Sequence, residues 1–146
     1  MTKIENFLDA NKPVGILLLR VFIGSRLFYG VIDNILSWER MIEFSNFLAA
    51  NNFPFPIISA VTSVYVQFFG ALSILIGFKL RVASFLLALN FMVALIFVHL
   101  RASDTIEGMT PALAMLFGCL TLLFTGPDKI SLKGYFDSKE VHHKSS

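Results

Sequence analysis

The sequence predicts an all-α integral membrane protein, a four-helix bundle with an interfacial helix between its first and second spans. Three observations predict it. Of 146 residues, 55% are hydrophobic, Phe alone occurs 16 times and only 15% are charged, against about 25% charged in an ordinary soluble domain. The mean hydropathy of +0.71 means more apolar surface than a soluble chain of this length can bury. Four apolar runs, each near the ~20 residues that cross a bilayer core, are separated by turns rich in Pro, Gly or charge.

The same composition excludes other classes. A net charge of +2 leaves no electrostatic footprint for nucleic acid. The single cysteine, Cys119, allows neither an internal disulfide nor a dithiol pair, so the chain alone cannot run a thiol–disulfide relay. The first apolar run is broken by Arg20 and Arg26 and no small-residue cleavage site follows it, so no cleavable signal peptide is expected.

Residues 1–13 form a short N-terminal segment in which Phe7 and Leu8 can rest on the membrane surface. Pro13 suits the first turn of a helix, where its missing N–H costs nothing. The first span covers about residues 14–36 and Trp38 follows as an interfacial anchor. Residues 37–52 are not a span. On a helical wheel Glu39, Glu43 and Asn46 share a polar edge, opposite Trp38, Met41, Ile42, Phe44 and Leu48. That pattern fits a helix in the plane of the interface, or a loop helix packed on the protein itself. Pro54 and Pro56 end it. The second span covers about residues 57–78, Lys79-Leu80-Arg81 makes a tight basic turn, and the third span covers about 82–100. A polar loop is expected over 101–109. The fourth span is expected over 110–125, with Pro111 in its first turn, and Gly126-Pro127-Asp128 stops it. The membrane domain is thus 14–126 and residues 127–146 are a polar tail.

Four spans put both termini on one side. Lys3, Lys12, Lys79, Arg81, Lys129, Lys133, Lys139 and Lys144 share that side, while only Arg40 and Arg101 lie on the other. The excess of Lys and Arg assigns the termini to the cytoplasm.

The punctuation resembles that of the DoxX family of small bacterial four-span membrane proteins. Its arginine–glycine–aromatic pattern is matched by Leu19-Arg20, Gly24 and Phe28-Tyr29-Gly30. Its central hairpin is matched by Gln67-Phe68-Phe69-Gly70-Ala71 and Gly77-Phe78-Lys79-Leu80-Arg81, the close of the third span by Val98-His99, and its terminal signature by Thr125-Gly126-Pro127-Asp128-Lys129-Ile130-Ser131-Leu132. Tyr29 stands where many members have His, Asp33 where Lys or Gln is common, and Gln67 where Glu is frequent. The resemblance implies a multi-pass protein of the bacterial inner membrane. It also implies a tie to quinone-linked redox, since some members look like subunits of thiosulfate:quinone oxidoreductases.

The polar residues inside the spans are the candidate site. A charge deep in a bilayer costs at least ~2.5–3.5 kcal/mol, so each needs a partner, a wet cavity or a route to the interface. Arg26, Tyr29 and Asp33 recur at spacings of three and four on one helix face. Arg26 and Asp33 are seven residues apart, too far for an unstrained salt bridge, so a further group must bridge them. Gln67 shares the level of Arg26, and His99 lies nearer the outer surface with Asp33, Arg101 and Glu107. These residues form either an outward-opening pocket for a quinone head group or an anion, or a network that only fixes helix packing. His99 is a proton carrier in the first reading and a polar cap in the second. Arg20 either snorkels to the interface or meets Asn90 in the bundle. The spans contain one His, which excludes bis-His haem within the chain, and no Cys, His or acid cluster has metal-ligand spacing. The functional expectation is a subunit of, or accessory to, a membrane redox complex. The rival is a non-enzymatic scaffold; a small transporter has too few spans unless the chain assembles with copies of itself or other membrane proteins.

Overall fold

The computed structural model describes residues 2–100 and 104–127. Arg101 and the tail beyond 127 lie outside the described residues. The elements are α1 (Lys3–Ala10), α2 (Lys12–Leu36), α3 (Trp38–Ala50), α4 (Pro56–Ile76), α5 (Leu80–Ala94), which runs on into a π-helical turn (Leu95–His99), and α6 (Ile106–Thr125). Among the described residues α2, α4, α5 with its π turn, and α6 are long and apolar enough to cross a membrane. They are the four expected spans. Their outward faces carry large exposed apolar side chains such as Phe69, Phe85, Phe117 and Phe124, which suits contact with lipid rather than water.

Local chemistry sets the boundaries. Thr2 caps α1 and forms a reciprocal box with Glu5, so the N-terminal segment is helical where only a short mixed segment was expected. Ile4, Phe7 and Leu8 project from α1 at helical spacing and all are exposed, as for a helix lying on a surface. One residue, Ser37, separates α2 from α3; it caps α3, and Asn34 Nδ2 donates to the Arg40 carbonyl across the corner at 3.0 Å. That clamp folds α3 back onto the bundle.

Of the two alternatives for α3, the structure shows the helix packed on the protein itself. Met41, Ser45 and Leu48 are buried, while Trp38 and Phe47 stay exposed. Met41 and Leu48 join Val31, Ala60, Val64 and Val98 in a hydrophobic cluster at the end of the bundle that carries the α2–α3 and α5–α6 connections, called here the loop end. The larger cluster lies among the four spans and includes Ile23, Leu27, Ile74, Leu87, Cys119 and Leu122.

Helices α3 and α4 each end in a left-handed residue with two reverse hydrogen bonds. Asn52 (φ 55°) allows Phe53 N–H to reach the Leu48 carbonyl at 3.0 Å. Gly77 (φ 73°) allows Phe78 N–H to reach the Ser73 carbonyl at 3.0 Å. In each case the last turn's carbonyls gain donors that a lipid environment does not supply.

Helix α6 departs from expectation. It begins at Ile106, so residues 106–109 are helix rather than loop and Pro111 sits inside the helix rather than in its first turn. The cause is Thr105, whose hydroxyl accepts from Gly108 N–H and starts the helix early. The π turn was also unforeseen: Leu100 N–H bonds the Leu95 carbonyl five residues back, at 2.9 Å.

Helices pack where side chains vanish. An ideal Cβ on Gly24 would stand 2.5 Å from Leu75 Cγ and 3.2 Å from the Ala71 carbonyl oxygen, and one on Gly70 would meet Leu87 at 2.8 Å. Small residues at such crossings admit the close approach on which packing in a membrane depends. Gly15 has nothing within 4 Å of that position. Gly24→Val should therefore cost about 1–3 kcal/mol of stability through overpacking and lower the unfolding temperature in detergent, while Gly15→Val should leave it nearly unchanged. Equal melting of the two variants would remove the close α2–α4 contact from the account.

Candidate functional site

Two arginines on α2 behave in opposite ways. Arg20 is 1% exposed. Its Nε donates to the Ile74 carbonyl at 2.9 Å and its Nη2 to the Leu75 carbonyl at 3.1 Å. It neither snorkels to the interface nor meets Asn90, and the reason is geometric. α2 and α4 run antiparallel, so the fourth residue before Gly24 faces the C-terminal turn of α4. There, orphan carbonyls and the negative end of the helix dipole wait for a cation. Arg26 is exposed and makes no hydrogen bond or ion pair among the described residues. Its Nη1 lies 3.0 Å from where a Cβ on Gly30 would be, so the guanidinium extends along α2 toward the loop end.

Arg26 faces a cavity of about 420 Å³ between α2, α4, α5 and α6. Gln67, His99, Phe22, Phe91 and Met115 also line it. Three of the five foreseen pocket residues are thus brought together. Asp33 is not among them; it accepts from Asn34 N–H at 2.9 Å and lines a second cavity of about 340 Å³ beneath α3. Gln67 lines both cavities and donates through Nε2 to Ser63 Oγ at 3.1 Å. Tyr29 is 78% exposed and lines neither. It stands about 60° around the helix from Arg26, at the edge of the same face, and its side chain stays on the outer surface. No bridge between Arg26 and Asp33 exists among the described residues.

His99 is placed by the π turn. Its Nδ1 lies 2.8 Å from Asp104 Oδ2, and Asp104 N–H bonds the His99 carbonyl at 3.0 Å. An ionised carboxylate takes the Nδ1 proton, which leaves Nε2 as the free ring nitrogen. The bond from His99 holds the Asp104 carboxyl below its ordinary value. Asp104 Oδ1 accepts from Thr105 N–H at 2.8 Å. The carboxylate lies over Gly108, where any Cβ would collide with it. Asp104 is the functional residue that sequence reasoning missed. Its partner is five residues away, a spacing no helical or strand period marks.

The secondary positions separate further. Asn90 and His99 line an apolar groove of about 460 Å³ between α3, α4 and α5. Glu107 is exposed in the first turn of α6, where a carboxylate suits the helix dipole. At the loop end Arg40 pairs with Glu43 at 2.8 Å, a contact that holds the guanidinium above its ordinary value. Among the described residues no group of three or more His, Cys, Asp or Glu could hold a metal ion. Donors on one wall (Arg26, Gln67) and an oriented imidazole on another suit a neutral or anionic acceptor with a flat apolar body between them.

Two outcomes follow from this geometry. Arg20→Leu strands the Leu75 carbonyl and should cost about 1–3 kcal/mol, whereas Arg26→Leu breaks no bond and should leave the detergent unfolding temperature equal or higher. Reversal of that order in a thermal melt would show that Arg26 holds the bundle. Acid gives a second test. Because the folded Asp104 value lies below the ordinary 3.8, its contribution is complete above that pH and is lost as pH falls through the lower folded value. Amide exchange at Thr105 and Gly108 should therefore accelerate in that acid window, and Asp104→Asn should remove the transition.

Neither the curated proteins nor the solved structures yield a match to this chain. The DoxX family profile matches residues 15–100, which takes in α2 to the end of the π turn and leaves α6 and the Thr125-Gly126-Pro127 stretch outside. More than half of the 146 residues are covered, with Arg26, Gln67 and His99 all inside the match, and the chain therefore belongs to the DoxX family.

Proposed function

We propose that this DoxX protein is a quinone-binding subunit of, or accessory to, a redox complex of the bacterial inner membrane, with both termini cytoplasmic. The observation that carries the reading is one cavity holding Arg26, Gln67 and an Asp104-oriented His99. Its volume of about 420 Å³ lies in the range of small-molecule sites, about 300–1,000 Å³. Phe22, Phe91 and Met115 supply flat or adaptable apolar walls for a ring. Arg26 and Gln67 donate to one ring oxygen. His99 faces the other through Nε2 and holds or releases a proton there, with Asp104 stabilising the charged imidazole. A bound quinone supplies reversible two-electron, two-proton chemistry; the chain supplies position and proton exchange. The eight-to-two distribution of Lys and Arg supports the assigned topology.

The scaffold reading draws on Arg20, whose guanidinium caps the Ile74 and Leu75 carbonyls. It gives no reason for Arg26, which costs desolvation and holds nothing together among the described residues. Extraction of the protein purified in mild detergent separates the two. The wild-type chain should retain a quinone, and His99→Ala or Gln67→Ala should each cut retention roughly tenfold, the worth of a lost hydrogen bond of about 1.4 kcal/mol. Tyr29→Phe should leave retention unchanged. A wild-type chain that carries no quinone and copurifies with no redox protein would favour the scaffold.

A further inference from the structure

The cavity that holds Arg26 and His99 and the cavity beneath α3 share two residues, Gly30 and Gln67. We propose that they form one aqueous passage, joined at Gly30 and Gln67, through which water and protons from the loop end reach Arg26 and His99. The outer chamber has a polar mouth. Asp33, Arg40 and Glu43 line it, and Arg40 and Glu43 have side chains 59% and 56% exposed. Below the mouth, Gly30 presents no side chain. A Cβ there would meet only the Arg26 guanidinium, at 3.0 Å, with no other atom outside its own helix within 4 Å. Gln67 stands opposite, tethered to Ser63, and offers a polar amide at the level where the two chambers join. Both chambers hold far more than the volume one water needs, and both have polar groups to bind it. Water in this passage also answers the charge problem. A guanidinium with no protein partner among the described residues is tolerable at membrane depth where it lines a wet cavity.

The passage stands on the two cavities. Its use rests on the quinone reading, for which it names the loop side as the source of the protons His99 exchanges. The Asp33 and Glu43 carboxylates at the mouth are the groups that would collect them, and Arg40 is the cation that faces them.

Thiol labelling of the full chain in sealed vesicles tests the passage. Cys119 is 0% exposed, so the unaltered chain is the control. Met115 lines the inner chamber and is 8% exposed, so a cysteine placed there by Met115→Cys is reached by a charged, membrane-impermeant methanethiosulfonate only through the cavity. It should react from the loop side. Gly30→Leu, which puts a side chain where the chambers join, should slow that reaction by about tenfold or more, equivalent to about 1.4 kcal/mol on the barrier. Gln67→Leu, which keeps the bulk and removes the amide, should slow it as well and carries the test if Gly30→Leu does not fold. A cysteine at Asn34 in the outer chamber should react at the same rate in all backgrounds. Unslowed reaction at residue 115 in both plugged variants, or no reaction in the open chain, overturns the passage. A chain that labels as expected yet holds no quinone keeps the passage and removes only its proposed use.

Discussion

A helix that ends inside or near hydrocarbon leaves carbonyls that nothing around it can satisfy, and α4 ends where Arg20 can reach. Gly77 turns the chain back and pairs the Ser73 and Ile74 carbonyls with its own and the following N–H. Arg20 takes Leu75 and a second share of Ile74. The guanidinium reaches them because Gly24, one turn along the same face of α2, lets that helix lie almost against the α4 backbone. Close approach and carbonyl capping therefore need each other. Without Gly24 the fork falls short; without Arg20 the close contact would bury unsatisfied acceptors. The α2–α4 pair positions one wall of the cavity, so the site inherits its geometry from this contact.

The four spans were legible because a bilayer demands them. Apolar length, terminal prolines and basic turns are local signals, and α2, α4, α5 and α6 all appear near where those signals put them. The start of α6 was misjudged because Pro111 is a stronger visible mark than Thr105, yet the Thr105 hydroxyl decides where the helix begins. The role of α3 was legible only as a choice. Its wheel shows an apolar face but not which part of it meets protein, and Met41, Ser45 and Leu48 were selected by the clamp between Asn34 and Arg40.

The polar residues were legible as a group and not as a site. Arg26 and Gln67 were placed together by depth, since antiparallel spans bring equal depths side by side, while His99 was expected nearer the outer surface with Asp33. Helical spacing grouped Tyr29 and Asp33 with Arg26 on one face, but spacing does not say where a cavity begins and ends: Tyr29 is 78% exposed and lines neither chamber, and Asp33 lines only the one beneath α3. Two identical residue types on one helix also had indistinguishable sequence signatures. Arg20 is a structural cation and Arg26 a cavity cation only because one faces a helix end and the other faces space.

The π turn at Leu95–His99 makes the site depend on counting. A π turn closes over five residues where an α turn closes over four, so it carries one surplus residue relative to the helix it ends. Removing any one residue from that stretch would restore ordinary pitch. Keeping every residue but winding the stretch at α pitch would instead carry everything beyond it about 100° further around the axis of α5. His99 would leave the cavity and Asp104 would lose its partner, although no side chain in the site had changed. Chain length at one turn thus acts as a determinant of the site in its own right, and a relative could keep all of these residues and still lack the arrangement.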